Sequence, residues 1–159
     1  MGLESFFIWL EASRLGVFMK DLPATFATVE AVHLIALALL GSAVLATDLR
    51  LMNVILRDVP SNVVADSSHK WFKISLAALL ITGFMMLAGV ATKCYSNPYY
   101  WTKMIALFTG IVFVFAIKRP LLKADHATLK PMTLKLVGLA SISLWFIVAA
   151  SGRWIGFSG

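Results

Sequence analysis

Four long apolar stretches, at about residues 24–46, 72–92, 101–117 and 132–152, constrain this chain more than any other feature of it. Each comes near the roughly 20 residues that carry a helix across a hydrocarbon core of about 30 Å. Lipid offers no partner to an open strand edge, and the stretches are too long for barrel strands, so all four must be helices. The third is the shortest and holds Lys103 near its start, a position from which the ammonium can snorkel toward headgroups. A chain with 60% hydrophobic residues, only 14% charged ones and a mean hydropathy of +0.85 lies outside the range of soluble domains. The fold class is therefore all-α: an integral membrane four-helix bundle, with residues 1–159 forming a single transmembrane domain.

The linkers fit antiparallel neighbours. Pro23 in "DLPA" marks a helix start, "SNPYYW" turns the chain between the second and third spans, and "KRPLLKADHATLKP" separates the third from the fourth. Trp71, Tyr99, Tyr100, Trp101 and Trp154 fall at span ends, where interfacial aromatics belong. The first 21 residues resemble a signal peptide only at a glance. Glu4 and Glu11 interrupt their apolar part and no small-residue cleavage site follows, so the segment is expected to stay on. Leu3, Phe6, Phe7, Leu10, Val17 and Phe18 recur at helical spacing opposite the two acids. That pattern suits an amphipathic helix lying in the membrane interface, or one packed against the bundle.

Charge sets the expected orientation. Arg50, Arg57, Lys70, Lys73, Lys118, Arg119, Lys123, Lys130 and Lys135 fall on one side, nine cations, against five on the other: Arg14, Lys20, Lys93, Lys103 and Arg153. The nine-cation side is expected to be cytoplasmic, which puts both termini on the outer side of the membrane. The basic residues flank spans rather than cover a soluble face, so they answer to anionic lipid and not to nucleic acid. Cys94 is the only cysteine, which excludes an intramolecular disulfide, a CxxC redox pair and a cysteine-cluster metal site.

Two ionisable residues lie deep in the first span. From Pro23, Glu30 sits about 10 Å and His33 about 15 Å below the outer interface at 1.5 Å per residue, on one helix face that should point inward. By the same count Lys103 enters to about 8 Å, and Arg153 ends the fourth helix at that interface. A Glu30–Lys103 ion pair joining the first and third helices is one expectation. A carboxylate that relays protons or orients His33 is the other. Near the opposite interface, Asp48 is expected to bridge to Lys118 or Arg119. Gly83, Gly89, Gly138 and Ser141 are small enough to permit close helix contact.

The motifs "EAVH", "TDLRLM", "LLITGF", "NPYYWTKM" and "LWFIVAASGRWIGF" together resemble a family of small bacterial inner-membrane proteins with four helices and no assigned function. The resemblance covers nearly the whole chain. It implies a four-helix membrane bundle, with Glu30, His33, Lys103 and Arg153 as candidate family positions, and it supplies no activity. More distantly, a central histidine in such a bundle is similar to what b-type cytochromes and copper-resistance membrane proteins use.

Two axial histidines must meet at one iron, and here they do not align. His69 and His126 both miss the depth of His33 by about 20 Å or more, and are expected to face solvent or headgroups. Methionine is the alternative partner. Met85, Met86 and Met104 lie about 9–12 Å from the outer face, within a few ångströms of His33. One histidine with one methionine is an axial set for haem b, and one histidine with several thioethers suits copper(I). Three readings follow: a cofactor-binding electron-transfer protein with His33 as haem or metal ligand, an accessory subunit of a larger membrane complex or homo-oligomer, and a transporter of metal or small solutes. No Ser-His-Asp set, HExxH motif, glycine-rich phosphate loop or paired carboxylates at one depth supports a self-contained enzyme.

Overall fold

Prolines and polar caps fix where the helices begin. Pro23, Pro98 and Pro131 each occupy a first-turn position, where the missing N–H costs nothing, and the Asn97 side chain caps the third span by accepting from Tyr99 N–H at 2.9 Å. The computed structural model describes residues 2–123 and 130–158. In chain order it has α1 (Leu3–Ala12), α2 (Arg14–Asp21), α3 (Pro23–Leu51), α4 (Ser61–Gly89), α5 (Ala91–Tyr95) and α6 (Pro98–Phe113). A π-helical turn (Val114–Lys118) leads from α6 into α7 (Arg119–Lys123), and α8 (Pro131–Phe157) closes the chain. There is no strand among the described residues.

Four helical stretches are long and apolar enough to cross a membrane: Pro23–Leu51, Asn62–Gly89, Pro98–Leu122 and Pro131–Phe157. The protein is a multi-pass, all-α membrane bundle. Its helices outrun the apolar stretches that announce them. The second begins at Ser61 rather than near residue 72, because Asp66, Ser68, His69 and Lys70 are polar but still helical. It stops at Gly89, before residue 92, where Val90 leaves the helical region at φ −139°. At 29 residues α3 is about 43 Å long, so its ends reach past a hydrocarbon core of about 30 Å at tilts up to about 40°.

The π-helical turn has a local cause. Pro120 has no N–H to give the carbonyl four residues back and its ring crowds that carbonyl, so the third span widens just before it. The widening lets the span continue while turning Lys118 inward, where it is 3% exposed.

Helix α3 packs along α4 and α8, and α8 packs along α6. Their shared core is Leu40, Ala43, Val44, Phe72, Leu76, Ala106, Val114, Trp145 and Val148. The Trp145 ring lies over Gly110, where an added Cβ would come 3.4 Å from it, and meets Phe72 edge-on at 5.5 Å. Outward, Ile105, Phe108 and Phe146 are about 70% exposed, a surface that only lipid or another apolar partner can cover.

The amino-terminal segment is two helices instead of one. Ser13 breaks them apart and caps α2, its Oγ accepting from Gly16 N–H at 3.2 Å. Phe7 and Leu10 bury against Ala88, Ala91, Tyr95, Tyr100 and Trp101, whereas Leu3, Phe6, Ile8 and Trp9 face outward. Helix α1 is thus packed on the bundle and available to lipid at once. Gly16 permits the closest approach, since a Cβ there would lie 2.3 Å from the Glu11 carbonyl oxygen. Glu11 straps this collar down: it pairs with Lys20 and accepts from Thr92 N–H at 2.6 Å and Thr92 Oγ1 at 2.5 Å, at the start of α5.

Candidate functional site

The bundle holds two polar layers at opposite ends of its apolar core. One is nearer the termini and contains His33; the other lies about 22 Å further along α3 and contains Asp48.

At the terminus-side layer His33 is half-buried and faces α4, where Gly83 makes room for the ring: a Cβ on Gly83 would lie 3.3 Å from His33 Cε1. His33 Nδ1 is 2.8 Å from Thr82 Oγ1. The Thr82 hydroxyl is also within reach of the Ala78 carbonyl, at 2.6 Å. When its proton goes to Ala78, the Thr82 oxygen accepts and His33 Nδ1–H donates, which leaves Nε2 with a free lone pair and no hydrogen-bonded protein partner among the described residues. Sequence reasoning missed Thr82; its one signal is a hydroxyl in the middle of an apolar helix.

Met85 and Met86 follow Thr82 by three and four residues, on the same side of α4, and both are half-buried, as is Met104 on α6. Lys103 is also half-buried. Its Nζ lies against Gly152 of α8, 3.3 Å from where a Cβ would stand. The expected Glu30–Lys103 ion pair does not form. Helix α8 lies between α3 and α6 in the packing order, Lys103 turns toward it, and Glu30 is left exposed with no ion pair among the described residues. Arg153 is exposed as well and stacks over Phe157 at 4.5 Å. Among the described residues no three His, Cys, Asp or Glu side chains cluster as a metal site.

His69 packs between Phe72, stacked at 6.5 Å, and Phe115, edge-on at 5.6 Å. It is half-buried rather than fully solvated. Thirteen residues separate it from Thr82, about 20 Å along α4, so it cannot share an iron with His33. His126 lies outside the described residues.

At the other layer the Asp48 bridge forms to Lys118, with Nζ 2.6 Å from Oδ1 and the two side chains 0% and 3% exposed. Lys118 Nζ also approaches the Val44 carbonyl and Ser141 Oγ, each at 3.4 Å. The family model for DUF6644, a family of unknown function, matches residues 6–158, from α1 through both layers to the end of α8.

The chain belongs to DUF6644.

No curated protein and no solved structure matches it. The DUF6644 match covers the His33 and the Asp48 layers alike, so family membership does not choose between them. In this DUF6644 chain the small residues seat the second layer closely: Ser141 is fully buried, and Gly138 lies within 3.2 Å, at its Cβ position, of the Asp48 carbonyl. At the collar outside the spans, desolvation pushes the Glu11 carboxyl up. The hydrogen bonds from Lys20 and Thr92 and the Lys20 charge outweigh it and hold the group at about 2, below the usual 4.5. Burial pushes the Cys94 thiol up, more than the nearby Lys103 and Lys93 charges pull it down, and such a thiol is a poor nucleophile.

Proposed function

We propose that this protein is a bacterial inner-membrane electron-transfer protein that holds a haem through His33, with both termini on the outer side. The observation that carries the reading is the 2.8 Å contact between His33 Nδ1 and Thr82 Oγ1, taken with Nδ1–H as the donor. A ring that donates through one nitrogen to a fixed acceptor presents the other as a ligand, which is how metal-bound histidines are oriented. Met85, Met86 and Met104 are the candidates that would hold the group together with His33. Haem is favoured over copper because Lys103, half-buried in the same layer, can carry a positive charge there. That charge opposes a bare cuprous ion but complements the carboxylates a haem carries. Bound iron would supply one-electron transfer; the chain supplies the axial nitrogen, its orientation and the apolar surroundings that set the potential.

A second reading, an accessory subunit or a homo-oligomer, draws on a different fact. Only 22–33% of the most apolar window of each span is buried within the chain, which leaves wide apolar flanks for partner helices. A reduced-minus-oxidised visible spectrum of protein purified gently from its native membrane separates the two. A Soret band lost in His33→Ala but kept in His69→Ala and His126→Ala supports the haem reading. Thr82→Val should then weaken cofactor retention by about 10–100-fold. A wild-type protein with neither haem nor stoichiometric metal overturns it, and co-purification with larger membrane partners then favours the accessory subunit.

A further inference from the structure

The Asp48–Lys118 pair sits in the bundle interior with a feature that a purely structural bridge does not need. Nζ reaches Oδ1 at 2.6 Å off the directions of a regular hydrogen bond, and among the described residues the Ser141 hydroxyl is the other donor against Asp48, also without regular geometry, so both buried carboxylate oxygens are thinly satisfied. Such a group is costly to keep ionised unless something else solvates it. Beside it lies a cavity of about 30 Å³, lined among others by Thr47, Asp66, Ser68, His69, Lys118 and Arg119. That is room for water with several polar partners. Asp66 and Arg119 are exposed at the end of the bundle opposite the termini, while Lys118 is buried. The cavity therefore leads from that surface to the ammonium. Toward the termini the apolar core of Leu40, Phe72, Leu76 and Trp145 closes it off. Lys118 ends the π-helical turn, a distortion that recurs at functional sites.

We propose that Asp48 and Lys118 form a proton-binding site inside the membrane, loaded by water from one side only. In the loading step a Lys118 N–H bond breaks as an Asp48 O–H bond forms, and the resulting amine takes a proton from a hydronium ion in the cavity, which leaves as water. The pair passes from zero net charge to +1 with Lys118 again an ammonium, and Ser141 Oγ, 3.4 Å from Nζ, is positioned to accept from it in both states. Among the described residues, the titratable and charged groups that line the cavity beside the pair are Asp66 and His69 from α4 and Arg119 from the third span. Helix α8 presents only Ser141, and Arg50 of α3 is turned away, its Nε donating to the Val59 carbonyl at 2.9 Å. This site does not depend on a cofactor at His33.

Infrared difference spectroscopy of the full chain in lipid nanodiscs, titrated across about pH 4–9, reads the carboxylic C=O stretch directly. The expected result is a band that grows as pH falls, shifts in D₂O, disappears in Asp48→Asn and persists in Asp66→Asn. In Lys118→Met the carboxyl should be protonated at every pH. Ala65→Val, which narrows the cavity, should slow the deuterium shift several-fold. Should Asp48→Asn fail to fold, Asp48→Glu should keep the band at an altered frequency. A folded wild type with no such band anywhere in the range overturns the proposal, as does a band insensitive to both Asp48 substitutions.

Discussion

Two lysines in one helical span meet opposite fates, and the difference is whether a neighbour's carboxylate lies within reach. Lys118 is buried on Asp48. Removing either partner leaves the other buried in a low-dielectric interior without its counter-charge, where it must give up its own charge or keep it at a cost, so Asp48→Ala or Lys118→Met should each destabilise the protein by several kcal/mol, up to about 3–5. Replacing both by apolar residues of similar size, Asp48→Leu with Lys118→Met, should recover most of that loss in an unfolding titration. Lys103, by contrast, points at Gly152, and Glu30 is exposed. Glu30→Gln and Lys103→Met should therefore be additive within about 0.5 kcal/mol in a double-mutant cycle. A coupling well above that would bring the two groups back together. Reading depth along each helix aligned Glu30 with Lys103 equally well, because axial rise says nothing about which way a side chain turns.

At the scale of elements, the collar α1–α2 is held to α5 by Glu11 through Lys20 and Thr92. Its carboxyl is held at about 2, below the usual 4.5. A carboxylate depressed on folding contributes stability above its unfolded value, and that contribution fades as pH falls from 4.5 toward about 2. Amide protection of residues 3–21 in hydrogen exchange should thus be flat from neutral pH down to about 5 and drop below it. Glu11→Gln should show the reduced protection at every pH. The sequence announced an amphipathic segment, but Ser13 as a cap inside it was not apparent, since a single serine between apolar residues is equally compatible with an unbroken helix.

For the whole molecule, orientation is the property with the clearest test. The nine-to-five distribution of Lys and Arg predicts that the linker between α3 and α4 is cytoplasmic. A cysteine introduced by Asp58→Cys, at an exposed position in that linker and in a Cys94→Ala background, should resist an impermeant thiol reagent in intact cells and react after lysis. Labelling before lysis would invert the topology, and with it the side from which the Asp48–Lys118 cavity fills.

Span number, helical class and family membership were legible in the linear chain, because bilayer thickness and backbone satisfaction turn long apolar runs into transmembrane helices whatever their partners. The Asp48 bridge was legible too, since Asp48 and Lys118 reach the same interface. What the tertiary structure alone decided was azimuth and helix adjacency. It set α8 between α3 and α6, which leaves Lys103 without Glu30, and it brought Thr82 to His33. It also placed a polar cavity against Lys118. Hydropathy records how deep a residue lies; only the packing of one helix against another fixes what it faces.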